Sequence, residues 1–475
     1  MRRLACLLAA LTACAPPATN VTVRELALPG SFDRATGGPS AGTIDWRTFF
    51  GDPQLAALVG EALEANTDVQ IAVQRIELAR FGVRRATGAR LPEVSLAAGA
   101  AVRRFGLYTM DGAGNATTDI TPGRIVPNPL GDLGVRVQAS WEVDLWGRLR
   151  GLRGAARAQY LASIEGAHLV VTNLVADIAI AYIELVALDE VREILVETLA
   201  RQAEALDVMR AQKEAGRTNE LAVQQFDAQL AETRALDAAT TQQIVELEMQ
   251  LNVLLGRLPR PIARSKALLD REVPSTLDAG VPSELLRNRP DIREAELQVQ
   301  AAKLDVAATR AAFFPQLQLS AEIGLQAFEP RYLVRPDSIA GALVGGLVAP
   351  LLNRRGLEAD HASARATQLQ ALHAYRGAVV RSFAEVTAGL SALAQSSEIV
   401  AARTRRQAAT ASTVETADAL FRAGKATYLE VLVAQQQTLE ARLDLVEALR
   451  DRHIARIRLY RALGGGWRGA LNVQR

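Results

Sequence analysis

LGVRVQASWEVDL, residues 133–145, alternates strictly: Leu133, Val135, Val137, Ala139, Trp141, Val143 and Leu145 are interleaved with Gly134, Arg136, Gln138, Ser140, Glu142 and Asp144. Successive side chains on a strand point to opposite faces, so this segment has one apolar and one polar face. Residues 316–327 repeat the pattern, with Leu317, Leu319, Ala321, Ile323, Leu325 and Ala327 set against Gln316, Gln318, Ser320, Glu322 and Gln326. Weaker alternation covers Val94 to Val102 and Ile339 to Leu351. The reading is two hairpins with strands at about 93–107, 132–145, 316–328 and 338–351, joined by Gly-, Pro- and Asp-rich loops near 108–131 and 329–337. Strands of about ten residues with one greasy and one charged face fit an outer membrane barrel; a soluble sheet packed on helices is the alternative. Four strands cannot close in lipid, because the smallest membrane barrels have about eight and an open edge leaves backbone groups unpaired. Two copies would reach that minimum with a packed interior, whereas three give about twelve strands and room for a lumen. The expectation is a homotrimer.

Outward from the strands, proline marks where helices can run. All 18 prolines lie at or before Pro350, and none falls between Pro129 and Pro259. Proline breaks helix interiors, and the proline-free stretches are rich in Ala, Leu, Glu, Gln and Arg, which favour helix. Val171, Leu174, Ile178, Ala181, Leu185 and Leu188 step by three and four, as do Ile244, Leu247, Leu251 and Leu254, which is coiled-coil spacing. Long helices are expected at 148–215, 218–256, 355–422 and 426–463, the first roughly 100 Å long at about 1.5 Å per residue. The segment from His168 to Leu188 is apolar enough for a bilayer, but Asp177 and Glu184 would each cost about 2.5–3.5 kcal/mol at mid-membrane. A helix buried in a bundle is the better reading.

The chain repeats itself. AGRTNEL at Ala215 and AGKATYL at Ala423 are 208 positions apart, as are Leu255-Gly256 and Leu463-Gly464. Upstream, Asp68 stands 24 residues before Pro92 and Asp291 stands 24 before Pro315, with an offset of 223, so one half carries a longer loop. Two units of helix, strand pair, long helix, turn and long helix are expected at 66–260 and 289–464, with a linker at 261–288 and a tail at 465–475.

The N-terminus reads as an export signal. Arg2 and Arg3 precede the apolar run Leu4 to Ala13, too short to span a bilayer, so residues 1–13 form a signal peptide. Leu11-Thr12-Ala13-Cys14 has the form of a bacterial lipobox, which makes Cys14 the acylated first residue of a lipidated segment at 14–65; an ordinary secretory signal is the alternative. Cys6 leaves with the signal, so no internal disulfide is possible. Losing Arg2 and Arg3 leaves 52 basic against 52 acidic residues. That balance, without a basic tract, excludes a nucleic-acid footprint. There is no phosphate loop or GxSxG, and His168, His361, His373 and His453 lack metal-ligand spacing, so neither an enzyme, a cofactor nor a metal is expected.

The lipobox at Cys14, WEVDLWGRLRG at Trp141, RPDIREAE at Arg289, the Leu91-Pro92 and Phe314-Pro315 junctions and the paired AGRTNEL and AGKATYL turns together resemble the lipoprotein branch of the TolC-like outer membrane factor family. The resemblance covers nearly all of the mature chain. It implies a mainly α protein with a small membrane β-barrel part: a trimer with a twelve-stranded barrel in the outer membrane and a long α-helical barrel in the periplasm. Ala15 after Cys14 resembles lipoproteins sorted to the outer membrane. The implied role is the passive exit duct of a tripartite drug efflux pump, with a periplasmic adaptor and an inner membrane RND-type transporter as partners. Export of protein or polysaccharide through a type I system, and a pore-less periplasmic scaffold, are the competing readings.

Gly216 and Gly424 fall between long helices, where a left-handed residue reverses the chain cheaply, and mark hairpin tips. The resemblance makes these tips the adaptor-docking aperture, with Arg217, Thr218, Lys425 and Thr427 exposed there. Asp418, Glu415 and Glu214 are the acids nearby, and by resemblance three copies of Asp418 would form a ring that narrows the pore; solvated helix charges are the plainer reading. Arg136, Gln138, Glu142, Gln316, Gln318 and Glu322 would face the barrel lumen. Leu351-Leu352-Asn353-Arg354-Arg355-Gly356 only loosely follows the family's turn into the long helix.

Overall fold

The structure, a computed structural model, describes residue 27 and residues 29–32, 38–350, 352 and 354–470; the signal segment and Cys14 lie outside the described residues, as do Leu351 and Asn353. The chain folds as two compact units, one of Leu78–Tyr160 and Leu297–Leu372, the other of the described parts of Arg24–Glu77, Leu161–Glu296 and His373–Arg475.

The first unit is built on an antiparallel sheet of β1 (Glu93–Arg103), β4 (Leu130–Val143), β5 (Gln316–Ala327) and β6 (Ile339–Val348), in the order β1-β4-β5-β6. Four strands lie where alternation placed them, with shifted ends: β1, β5 and β6 are shorter than expected, and β4 starts and stops two residues earlier. β1 stops at Arg103 because its partner ends there: Arg103 pairs with Leu130, which directly follows Pro129. β4 stops at Val143, since Asp144 turns to accept the backbone N–H of Leu149 (3.2 Å) and Arg150 (2.8 Å) and so caps α5 (Arg148–Glu214). Leu145 is therefore outside the ladder. β6 ends at Val348, two residues before Pro350, which has no N–H to give. The expected first loop is partly ordered: Thr109 caps a short helix, α4 (Met110–Thr117), followed by a small hairpin of β2 (Asp119–Thr121) and β3 (Arg124–Ile125). α9 (Pro330–Leu333) sits in the second loop. At the other end of the sheet the helix-to-strand junctions are tied down. Trp141 Nε1 donates to the Arg90 carbonyl (3.0 Å), and Trp146 donates to the Pro315 carbonyl (2.7 Å) while stacking on Phe314. Gly151 and Gly154 let α5 pack directly on Leu304 and Ala308.

The duplication shows in the helix lengths, and the core of the second unit is built on parts of these helices. α3 (Thr67–Gly88) and α8 (Pro290–Ala311) have 22 residues each, α5 and α10 (Arg355–Arg422) have 67 and 68, and α6 (Glu220–Leu254) and α11 (Tyr428–Ala462) have 35 each. The apolar stretch of α5 is core: Val171, Val175, Ile178, Ala179, Tyr182 and Leu185 are almost fully buried among protein side chains. The N-terminal segment joins this core through α1 (Trp46–Phe50) and α2 (Pro53–Ala65), with Phe49 stacked 3.9 Å from Tyr460. The linker also packs inward. Leu268 and Leu269 are buried, Arg264 bonds both Asp189 on α5 and Glu248 on α6, and α7 (Pro282–Asn288) leads into α8.

The two halves meet their own linkers through equivalent joints. α6 and α11 both end in a left-handed glycine, Gly256 (φ 66°) and Gly464 (φ 82°). In each the next N–H reaches back five residues, Arg257 to Asn252 and Gly465 to Tyr460, which satisfies carbonyls the helix leaves open. One more carbonyl per helix is taken by a side chain. Asn66 Nδ2 donates to Leu254 O at 2.8 Å, and Arg289 Nη1 donates to Ala462 O at 2.7 Å. Leu254 and Ala462 are 208 apart and Asn66 and Arg289 are 223 apart, the two offsets of the repeat. Arg289 is buried, which works against its charge, yet bonds to Asp291 and Glu385 hold its pKa above the ordinary guanidinium value.

Candidate functional site

The sheet carries one candidate surface. Register places Gln138 opposite Glu322 and Glu142 opposite Gln318, so Arg136, Gln138, Glu142, Gln316, Gln318 and Glu322 share one face, as the alternation implied. On that face Arg136 pairs with Glu322 at 3.5 Å, and Gln138 donates to the same carboxylate at 3.5 Å. Glu142 holds Arg148 through two bonds of 3.0 and 2.5 Å and thereby fixes the first residue of α5. The polar face extends beyond these six. Glu93 and Ser95 of β1 line a concavity with Gln138, Ser140, Ser320 and Glu322, and farther along Gln326 donates to Asp132 at 2.8 Å, with Arg103 4.0 Å from the same carboxylate. Alternation already puts Gln326 on this face; for Asp132 parity was the missed signal, since it has the same parity as the residues singled out on its strand.

The opposite face is apolar and bare. Val94, Leu96 and Val102 of β1, Ile323 of β5 and Ile339, Leu343 and Leu347 of β6 are each 62–74% exposed or more, with Leu343 at 80%. Burying such side chains is worth about 1.5–3 kcal/mol each, so a face that leaves them all open is built for a non-aqueous neighbour. β1 and β6 are also edge strands, each with one ladder side unpaired among the described residues. A long, flat, apolar edge is a template for another strand.

The hairpin tips form the second candidate surface. α5 ends at Glu214 and α10 at Arg422, followed by Gly216 (φ 70°) and Gly424 (φ 69°), with Arg217 N–H bonding Gln212 O and Lys425 N–H bonding Leu420 O, both at 2.8 Å. The helices after the turns start two residues later than expected, because the caps are Asn219, which accepts the Ala222 N–H at 3.1 Å, and Thr427, which forms a capping box with Glu430. Thr427 is thus a capping residue, and Thr218 makes no cap. Gly216, Arg217, Gly424, Lys425 and Thr427 are exposed and Thr218 is half-buried. An ion pair from Lys213 to Glu220 closes the first turn and holds the Glu220 carboxyl below the ordinary carboxylate range. Above the turns the two hairpins pack on each other, with Phe421, Tyr428 and Leu432 against Leu206, Met209, Phe226 and Leu230. Glu214 and Glu415 are exposed and Asp418 is half-buried; no ion pair or side-chain hydrogen bond brings them together among the described residues. No group of three or more His, Cys, Asp and Glu able to hold a metal ion occurs among the described residues.

Comparison with known proteins agrees with this geometry. A family model described as outer membrane efflux protein matches residues 58–257 and 281–465. The cation efflux system protein CusC of Escherichia coli O6:H1 is 29% identical over 473 residues, covering 97% of this chain and 98% of CusC. The probable outer membrane lipoprotein SilC of Salmonella typhimurium is 28% identical over 423 residues, 89% of this chain and 88% of SilC. A solved structure of CusC, reported with its transmembrane channel formation, superposes with a TM-score of 0.81 at 26% identity, covering 95% of this chain and all of that one. With its duplicated long helices, its two-faced sheet and a family match over most of its length, the chain belongs to the outer membrane efflux protein family and is an outer membrane channel that gives an efflux pump its exit duct.

Proposed function

We propose that three copies of this chain join β6 of one to β1 of the next and close a twelve-stranded barrel, apolar face to lipid and polar face to the lumen. A head-to-tail contact that closes on itself makes a ring and leaves no open edge. The single observation that carries this reading is the sheet, with one face of exposed Leu, Ile and Val, an opposite face on which β1, β4 and β5 carry Arg, Gln, Ser and Glu, and two edges unpaired among the described residues. Arg136, Gln138, Glu142, Gln316, Gln318 and Glu322 then wall the duct with mixed polarity, which suits small solutes of varied chemistry. Energy and selection come from an inner membrane RND-type transporter, and a periplasmic adaptor docks at the tips around Gly216, Arg217, Thr218, Gly424, Lys425 and Thr427. Asp418, Glu415 and Glu214 make no ion pair among the described residues, which suits them to contacts across the axis. Cys14 carries the lipid that holds the segment before Trp46 at the membrane, and the two repeats span 66–260 and 289–464. The efflux role of CusC favours a small-molecule duct over protein or polysaccharide export.

The test is thiol accessibility in outer membrane vesicles. Single cysteines at Ser320, on the polar face, should react with a charged, membrane-impermeant reagent, and cysteines at Ala321 should react only with an apolar one. Equal reactivity of the two with the charged reagent would refute the barrel assignment.

A further inference from the structure

At the end of the sheet opposite the start of α5 and α10, three arginines surround one aromatic ring. The guanidinium carbons of Arg331, Arg335 and Arg124 lie 4.9, 5.2 and 5.9 Å from the Tyr332 ring centroid. They come from separate loops, Arg124 from the hairpin between β1 and β4 and the other two from the segment between β5 and β6. One carboxylate serves the group: Glu329 pairs with Arg124 at 3.4 Å and also with Arg331. Arg335 has no ion pair among the described residues, and none links it to Asp337, the acid nearest in sequence. Glu329 is 28% exposed, whereas Arg124 and Arg331 are 43% and 48% exposed, so the cationic groups are the more open to the outside. The face of a tyrosine ring attracts cations but carries no net charge, so three guanidiniums against one carboxylate leave an excess of two positive charges.

This cluster stands where the apolar face ends. Val102 of β1 and Ile339 of β6, both on the apolar face, are 74% and 62% exposed, and Val334, between Tyr332 and Arg335, is 84% exposed. Arginines and an aromatic ring directly above an apolar belt match the headgroup level of a bilayer, and a guanidinium fork fits phosphate oxygens two at a time.

We propose that Arg124, Arg331 and Arg335, gathered on Tyr332, bind the phosphate group of an outer-leaflet lipid. The proposal rests on the reading of the sheet as part of an outer membrane barrel with these loops outward. Bound phosphate would replace the mutual repulsion of the three cations with charge-assisted hydrogen bonds and tie the two loops to the membrane rim.

The test is native mass spectrometry of the purified full-length protein in a neutral detergent. The probes are bisphosphorylated lipid A, its dephosphorylated counterpart and inorganic phosphate. The wild-type protein should bind bisphosphorylated lipid A, prefer it to the dephosphorylated form and keep it in the presence of millimolar inorganic phosphate. Each of Arg124→Gln, Arg331→Gln and Arg335→Gln should weaken binding roughly fivefold, the effect expected of one cation at an anionic membrane surface. Arg75→Gln, which removes an exposed charge on α3, should leave binding unchanged. Equal lipid affinity in the wild-type protein and the triple variant would overturn the proposal. So would full displacement by inorganic phosphate, which would make the cluster a site for the free ion. The same spectra report the oligomer: trimers with unchanged lipid affinity sink the site alone, whereas absence of trimers removes the barrel and the site with it.

Discussion

Truncating Arg289 to alanine tests the duplicated joint at the ends of α6 and α11. The Arg289 side chain is only 9% exposed and makes bonds of 3.0 and 2.8 Å to Asp291, 2.8 Å to Glu385 and 2.7 Å to the Ala462 carbonyl. Glu385 is half exposed, so solvent screens that pair to about 0.5 kcal/mol or less. The charged bond to a buried carbonyl is worth about 1.5–3 kcal/mol, and the partly buried Asp291 is left uncompensated. The sum is about 3–4 kcal/mol. Asn66 holds the equivalent carbonyl with a neutral amide and accepts the N–H groups of Asp68 (2.9 Å) and Val69 (3.1 Å) as an N-cap. Asn66→Ala should therefore cost less, about 2 kcal/mol. For a chain of 475 residues the unfolding entropy is about 1 kcal/mol per kelvin, so global melting would move by only about 3 °C. Amide hydrogen exchange resolves the effect better. Arg289→Ala should speed exchange in the last turn of α11 and leave the last turn of α6 unchanged, with Asn66→Ala doing the reverse. The reasoning is refuted if either substitution loosens both helix ends equally, or if the asparagine costs as much as the arginine.

Glycine substitutions should separate backbone strain from crowding. At Gly216 a Cβ would meet nothing within 4 Å, so Gly216→Ala costs only the left-handed conformation, about 1–2 kcal/mol, whereas at Gly256 it would lie 2.2 Å from the Ala65 carbonyl oxygen and the loss should be several-fold larger in denaturant unfolding. His453 is buried with Nε2 3.2 Å from the Leu269 carbonyl, and burial lowers its pKa to about 4. The unfolded chain takes up a proton near pH 6.5 that the folded one refuses until about pH 4, so up to roughly 3 kcal/mol of stability is lost as pH falls through that window. His453→Gln should flatten the pH dependence of unfolding. In the sheet, Leu343→Arg on the apolar face should cost about 2–4 kcal/mol in lipid refolding assays, whereas Ala342→Arg on the polar face, opposite Glu322, should be tolerated.

Much of this architecture is legible in the sequence because it rests on periodic signals. Alternation at 133–143 and 316–327 set both the strands and their faces, and the missing prolines set the four long helices. Gly216, Gly256, Gly424 and Gly464 announced the helix ends, since a left-handed turn favours that residue. What stayed hidden depends on particular partners. Asn66 and Arg289 do one job with unlike side chains, so a search for repeated letters passes over them. The strand ends at Arg103 and Val143 were set by where pairing ran out and by the Asp144 cap, neither of which alternation reports. At the tips the glycines and charges were legible, but Asn219 and Thr427 turned out to cap helices. The arginines around Tyr332 come together only through two loops more than 200 residues apart in sequence.

The most direct test of the duct is single-channel recording of the purified, lipidated protein in planar bilayers, with the oligomer determined by mass on the same sample. The account predicts trimers carrying discrete currents that a charged thiol reagent reduces in a Ser320→Cys variant but not in an Ala321→Cys variant; monomers without currents, or block from position 321 alone, would contradict it.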